Sequence, residues 1–97
     1  MPVVSKDDQV VAHVTEMWID EAEQEVRYLE LALEAEHGSG TRLVPMTLSK
    51  LQPRWVMVKS LHSSRFDGVP QVRTEGVITK LEEEKISAWF AGGAMYS

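Results

Sequence analysis

The chain has 97 residues, a formal net charge of -5 and no cysteine. The missing cysteine excludes disulfides, thiolate metal sites and a cysteine nucleophile, and the acidic balance disfavours unaided binding to nucleic-acid phosphates or anionic lipid headgroups. With 43% hydrophobic and 26% charged residues, a single domain with a modest core is expected over residues 1–97, rather than disorder.

The start, Met1-Pro-Val-Val-Ser-Lys-Asp-Asp8, places acids where a secretory signal needs basic residues and then a long apolar run. Residues 1–8 therefore read as a short leader, and export is not expected. Val10 to Asp20 reads as a strand, because Val10, Ala12, Val14 and Glu16 alternate with Val11, His13, Thr15 and Met17 and β-branched residues are frequent. Glu21 to Gln24 is a polar break. Beyond it two templates fit. Ala22, Val26, Leu29 and Leu33 fall at helical spacing, and propensity favours a helix over Glu21–Glu36. With period two, Arg27, Leu29, Leu31 and Leu33 share one face of a strand while Tyr28, Glu30 and Ala32 share the other.

His37-Gly-Ser-Gly40 is a turn signal. Leu43-Val-Pro-Met46 follows as a short strand that Pro45, lacking an N–H, places at an edge or a bulge. Trp55 to Val58 is a compact strand, and Phe66 to Pro70 has the Gly and Pro punctuation of a connecting loop. Thr79-Lys-Leu-Glu82 matches a capping box and predicts a helix start. Ile86, Trp89, Phe90 and Gly93 continue at helical spacing, and Gly92-Gly93 is expected to end the helix. Strands and loops are thus expected over 9–78 and a helix over 79–93. The longest uncharged run, Ser87 to Ser97, is about half the ~20 residues a membrane-spanning helix requires.

The motifs of a self-sufficient enzyme are missing: no Gly-rich phosphate loop after a strand, no His-x-x-x-His pair and no nucleophile elbow. A non-catalytic protein is expected. His13, His37 and His62 lie far apart and read as surface or loop residues, so no metal site is expected from them. Glu82-Glu-Glu84 could collect protons, but at a helix start it is better read as complementing the helix dipole. Trp18, Trp55 and Trp89 fit a small core or a binding face. Glu23 and Arg27, four apart, read as a surface ion pair, on a helix or across a turn.

Ordered motifs run along nearly the whole chain: Trp18-Ile-Asp20, Glu23-Gln24, Arg27-Tyr-Leu-Glu-Leu-Ala-Leu33, Leu43-Val-Pro-Met46, Leu81-Glu-Glu-Glu-Lys-Ile86, Ala91-Gly-Gly93 and Met95-Tyr96. In this order and spacing the chain resembles the cytoplasmic domain of the photosynthetic reaction-centre H subunit, from about Val10 to Tyr96. The resemblance implies a PRC-barrel: mainly β, a small, strongly bent antiparallel barrel with a C-terminal α-helix. It also turns Val26–Leu33 from a helix into a strand, hairpinned to Val10–Ile19 through the Glu21–Gln24 turn.

The same resemblance implies a peripheral subunit on the cytoplasmic face of the photosynthetic membrane, capping the L and M subunits and supporting proton delivery to their secondary quinone. Quinone, bacteriochlorophyll, bacteriopheophytin and iron are expected in those partners, none on this chain alone, and nucleic acid is not an expected partner. Glu23 matches the family's turn glutamate near the quinone, as proton-relay or electrostatic tuning residue. Arg27 matches its arginine partner, and Asp20 is placed by the Trp-x-Asp match. The family's transmembrane helix and the proline-containing segment with its His and Asp residues have no match here. Either the chain is a fragment or the subunit is split; the split is the preferred reading, so a separate transmembrane H-like polypeptide is expected, and light-harvesting polypeptides are further candidate neighbours. The alternatives are a free-standing PRC-barrel adaptor of the ribosome-maturation or RNA-processing type, and a small acidic helical protein that self-associates.

Overall fold

The first residues form a central strand. In a computed structural model that describes residues 1–59, 61–71 and 77–96, β1 (Pro2–Ser5) lies inside a six-stranded sheet. The expected leader is corrected accordingly: Val3 and Ser5 are both fully buried. A leader outside the barrel would leave Val3 in water and strip both neighbouring strands of their hydrogen-bonding partner. The turn after β1 closes through Asp8, whose φ of 60° is one that a short polar side chain tolerates.

β2 (Val10–Asp20) and β3 (Glu25–Leu33) form the antiparallel hairpin, with Ala12 opposite Leu33 at one end and Asp20 opposite Glu25 at the other. Burial decides the ambiguous segment for the strand. Helix preference among these residues is worth tenths of a kcal/mol each, whereas each of Leu29, Leu31 and Leu33, all buried, contributes roughly 1.5–3 kcal/mol on leaving water. The register slips between Val14 and Glu16 and between Trp18 and Ile19, and such bulges bend and twist a ribbon.

A short 3₁₀ turn (Ala35–His37) leads to Gly38, at φ 116°. β4 (Thr41–Pro45) then pairs with β3 at the sheet edge and ends on Pro45, as its missing N–H requires. A second 3₁₀ turn (Met46–Leu48) precedes β5 (Lys50–Leu51) and β6 (Val56–Val58), an antiparallel pair. The sheet order is β4-β3-β2-β1-β6-β5. The molecule is therefore mainly β with one C-terminal helix, a barrel-like small domain, and the helical self-associating alternative is overturned. One pairing departs from an all-antiparallel sheet: β1 runs parallel to β6, with Val3, Val4 and Ser5 opposite Val56, Met57 and Val58.

The expected Phe66–Pro70 loop begins inside a third 3₁₀ segment (Ser63–Gly68), whose Phe66 is fully buried. Residues 72–76 of the expected barrel region lie outside the described residues. The helix α1 (Lys80–Tyr96) starts on its capping box: the Glu82 N–H donates to Thr79 Oγ1 at 3.2 Å, and the Thr79 N–H to Glu82 Oε1 at 2.9 Å. Ile86 and Phe90, four apart, enter the core beside Phe66, Leu29 and Leu31. The helix continues through Gly92-Gly93, where a stop was expected. Glycine permits the left-handed residue that ends a helix but does not impose it, and the following Ala94 and Met95 are good helix formers.

α1 is fastened to the third 3₁₀ segment by Trp89. Its indole N–H donates to the Arg65 carbonyl at 3.0 Å, and the Arg65 guanidinium lies 4.7 Å from the ring centroid. Gly68 sits against the ring so closely that a methyl group there would overlap it.

Candidate functional site

The hairpin tip is organised by Asp20, the last residue of β2. Its Oδ1 accepts the backbone N–H groups of Ala22 at 3.0 Å and Glu23 at 3.2 Å, the pattern by which aspartate nucleates a turn. Gln24 completes the reversal at φ 53°. The other carboxylate oxygen, Oδ2, accepts from Arg27 Nη1 at 3.2 Å.

Arg27 also reaches Glu83 on α1, with Nη2 3.7 Å from Oε1. The same Glu83 oxygen accepts the Tyr28 hydroxyl at 3.1 Å. Two carboxylates thus flank one guanidinium, and a phenol closes the group. Around it Trp18, Ile19 and Ile78 complete a cleft of about 190 Å³. Trp18 is fixed from β3, its indole N–H donating to Glu30 Oε1 at 3.1 Å, while Glu30 Oε2 accepts the Thr15 hydroxyl at 3.2 Å.

Two of the three expected site residues, Asp20 and Arg27, meet here; Glu23 does not join them. Arg27 takes Asp20 and Glu83 as its ion partners, and Glu23 stands exposed on the turn with its backbone N–H on Asp20. The expected Glu23–Arg27 pair is corrected on geometric grounds. Four-residue spacing joins side chains on a helix, whereas here Arg27, left without a residue directly opposite by the bulge between Trp18 and Ile19, takes Asp20, which faces Glu25 two positions away.

Tyr28 is not among the expected site residues, and Glu83 is expected only as part of the Glu82–Glu84 run that complements the helix dipole. The signal for Glu83 was present in the helix phase, because Glu83, Ile86 and Phe90 fall at spacings of three and four and share the inward stripe. For Tyr28 the signal was its position on the strand face opposite Leu29 and Leu31, which the hairpin bulges bring against the helix.

The phenol and the two carboxylates differ in their access to water. Burial, then the hydrogen bond to Glu83 and its negative charge, push the Tyr28 phenol up to about 12, against the opposing pull of Arg27. Tyr28 is therefore a fixed donor at neutral pH, unable to serve as a base. Glu83 and Asp20, with side chains 33% and 27% exposed, turn their remaining lone pairs toward water. Arg27 keeps the pair from being an uncompensated double negative charge. The cleft can therefore hold a water-fed carboxylate pair beside a rigid phenol donor.

Each histidine has its own acidic neighbour: His13 lies 2.6 Å from Glu34, His37 3.9 Å from Glu36 and His62 3.4 Å from Asp7. Among the described residues no helix is long and apolar enough to cross a membrane. A family model described as PRC-barrel domain matches residues 1–65. The match spans all six strands, so Asp20, Arg27 and Tyr28 come from the matched part while Ile78 and Glu83 come from beyond it.

Proposed function

The chain belongs to the PRC-barrel family, and from that premise we propose that it is an H-type subunit of a bacterial photosynthetic reaction centre. In this reading it caps the L and M subunits from the cytoplasmic side. Quinone, bacteriochlorophyll, bacteriopheophytin and iron belong to the partners, and this chain catalyses no step alone.

One observation carries the reading. The two motif blocks most specific to the resemblance, Trp18–Leu33 and Leu81–Ile86, lie far apart in the chain, yet they meet in one cluster, Asp20–Arg27–Tyr28–Glu83. The motifs then have a common purpose. Reduction of the partner's secondary quinone to quinol consumes protons, which cross dry protein only along relays of carboxylates and water. Exposed Glu23, at the tip, takes up protons from water or tunes the field at the quinone site. Asp20 holds the turn that aims Glu23, and Arg27 balances the carboxylates on either side of it.

The test is reconstitution with the L and M subunits. Glu23→Gln slows the proton-coupled second electron transfer to the quinone by about a hundredfold or more, the low end of what one positioned proton donor contributes, and leaves primary charge separation unchanged. Unaltered second-electron kinetics would reject the role of Glu23. Recovery of the chain away from bacteriochlorophyll, with ribosomes or an unrelated soluble partner, would reject the subunit and favour the adaptor function that other PRC-barrels serve.

A further inference from the structure

The acidic balance of the chain is unevenly spread. From His37 to Phe66 there is no Asp or Glu, while Arg42, Lys50, Arg54, Lys59 and Arg65 all fall in that stretch. The fold sorts these bases into two groups. Arg42 is buried, donating to the carbonyls of Ser39, Thr41 and Asp67, and Arg65 lies over Trp89. Lys50, Arg54 and Lys59 are exposed.

The strand register puts the two lysines on one face. Lys50 is opposite Met57, and Lys59 is two residues further along the chain from Met57, whereas Val56 and Val58 point the other way, into the core. Lys50, Met57 and Lys59, with Thr47, Leu48 and Ser49, line an open groove of about 370 Å³. Apolar groups stand exposed in the same stretch: Leu48, which lines the groove, at 38%, and Trp55, two residues before Met57, at 39%. The face extends onto β1, where Val4 is the neighbour of Met57. The nearest acid of that strand's turn, Asp7, is engaged with Ser5, Ser63 and His62.

We propose that this outer face of β5 and β6 is a peripheral docking surface for an anionic lipid bilayer. Charge complementarity selects the occupant: three exposed bases lie in an acid-free stretch, together with Leu48 and a tryptophan, the residue type that settles at headgroup depth. Lysine stems cover apolar surface while their ammonium groups reach phosphate. An acidic peptide fits the face less well. β5 has two residues, too few main-chain groups to template an added strand, and the groove is too open to enclose side chains. The net charge of -5 hides this surface because the acids are concentrated elsewhere, notably on the β2–β3 hairpin. The proposal does not rest on the reaction-centre reading and is testable on the free chain.

The experiment is co-sedimentation of the purified chain with vesicles of phosphatidylglycerol and phosphatidylcholine in equal parts, and with phosphatidylcholine alone. Binding is expected to the anionic vesicles only, and it weakens with added salt. Lys50→Gln and Lys59→Gln each lower the affinity about fivefold, the worth of one basic residue at such a surface. Both side chains are exposed, so circular dichroism stays unchanged. Brominated lipid quenches tryptophan emission in the parent chain and much less in Trp55→Phe. Equal binding to both vesicle types overturns the proposal, as does anionic binding untouched by the double lysine variant. A self-association abolished by the double variant, without vesicle binding, also overturns it and assigns the face to a second copy. Binding of an acidic polypeptide such as polyglutamate, again without vesicle binding, overturns it in favour of a protein partner.

Discussion

β2 is bracketed by two aspartates that do related work with opposite consequences. Asp7, just before the strand, accepts the Ser63 N–H at 2.8 Å, the Ser63 hydroxyl at 2.7 Å and the Ser5 hydroxyl, so it ties the first turn to the segment that carries Phe66. Asp20, at the far end, accepts two backbone N–H groups of its own turn and a partly exposed arginine. Neutral donors, two of them from the distant Ser63, make Asp7 a fastening of the fold. A local turn and a solvated guanidinium leave Asp20 nearly independent of the core, so the tip can vary its charges without unfolding the domain. Stability and function are thus placed at opposite ends of one strand.

The largest effect that probes this contrast lies beside Asp7. Phe66→Ala removes a fully buried ring from the segment Asp7 fastens and should cost about 3–5 kcal/mol. Set against the 5–15 kcal/mol of an ordinary domain, that brings the chain close to unfolding, as urea titration would show. If the variant keeps most of its stability, the Asp7 end is not where the fold is held.

Asp7→Asn has an intermediate effect with a pH signature. Burial pushes the Asp7 carboxyl up, but the hydroxyls of Ser5 and Ser63 and the Ser63 N–H together hold it well below the usual carboxylate range. The unfolded chain therefore binds this proton more readily than the folded one, and stability rises with pH. The contribution is complete above about pH 5 and drains away as the pH falls through about 4 and lower. Asn cannot reproduce the set of acceptors, so at neutral pH the thermal midpoint should fall by roughly 4–8 °C. The difference from the parent should shrink in acid, and a constant difference at every pH would assign the loss to packing.

Arg27→Gln should have the smallest effect on folding. Its pairs with Asp20 and Glu83 are partly exposed, and such pairs contribute about 0–1 kcal/mol. The thermal midpoint should barely move, and high salt should narrow even that difference. A loss as large as that of Asp7→Asn would collapse the distinction between the two ends.

The same division explains what could be read in advance. β2 was legible to its last residue because alternation and β-branching agree there, and the capping box at Thr79 was legible because it is a local exchange of two hydrogen bonds. β3 needed the family resemblance: its leucines favour a helix locally, and only burial against two neighbouring strands reverses that preference. β1 was missed because four residues carry too short a pattern, and its place between β2 and β6 is decided by Val56–Val58, half the chain away. Within the site, Asp20 and Arg27 were named but the pairing with Glu23 was not realised. Register across a bulged hairpin and the docking of α1 determine who meets Arg27, and neither is written in nearest-neighbour spacing.

The parallel seam between β1 and β6 gives the chain a timetable. During synthesis the hairpin and β4 can zip from local contacts, but β1 has only one flank occupied until some fifty residues later, when Val56–Val58 arrives. Contacts this distant along the chain are slow to form. β1, made before the other five strands of its sheet, is therefore among the last to be secured, and until then its open side is a row of unpaired amide groups that invites a wrong neighbour.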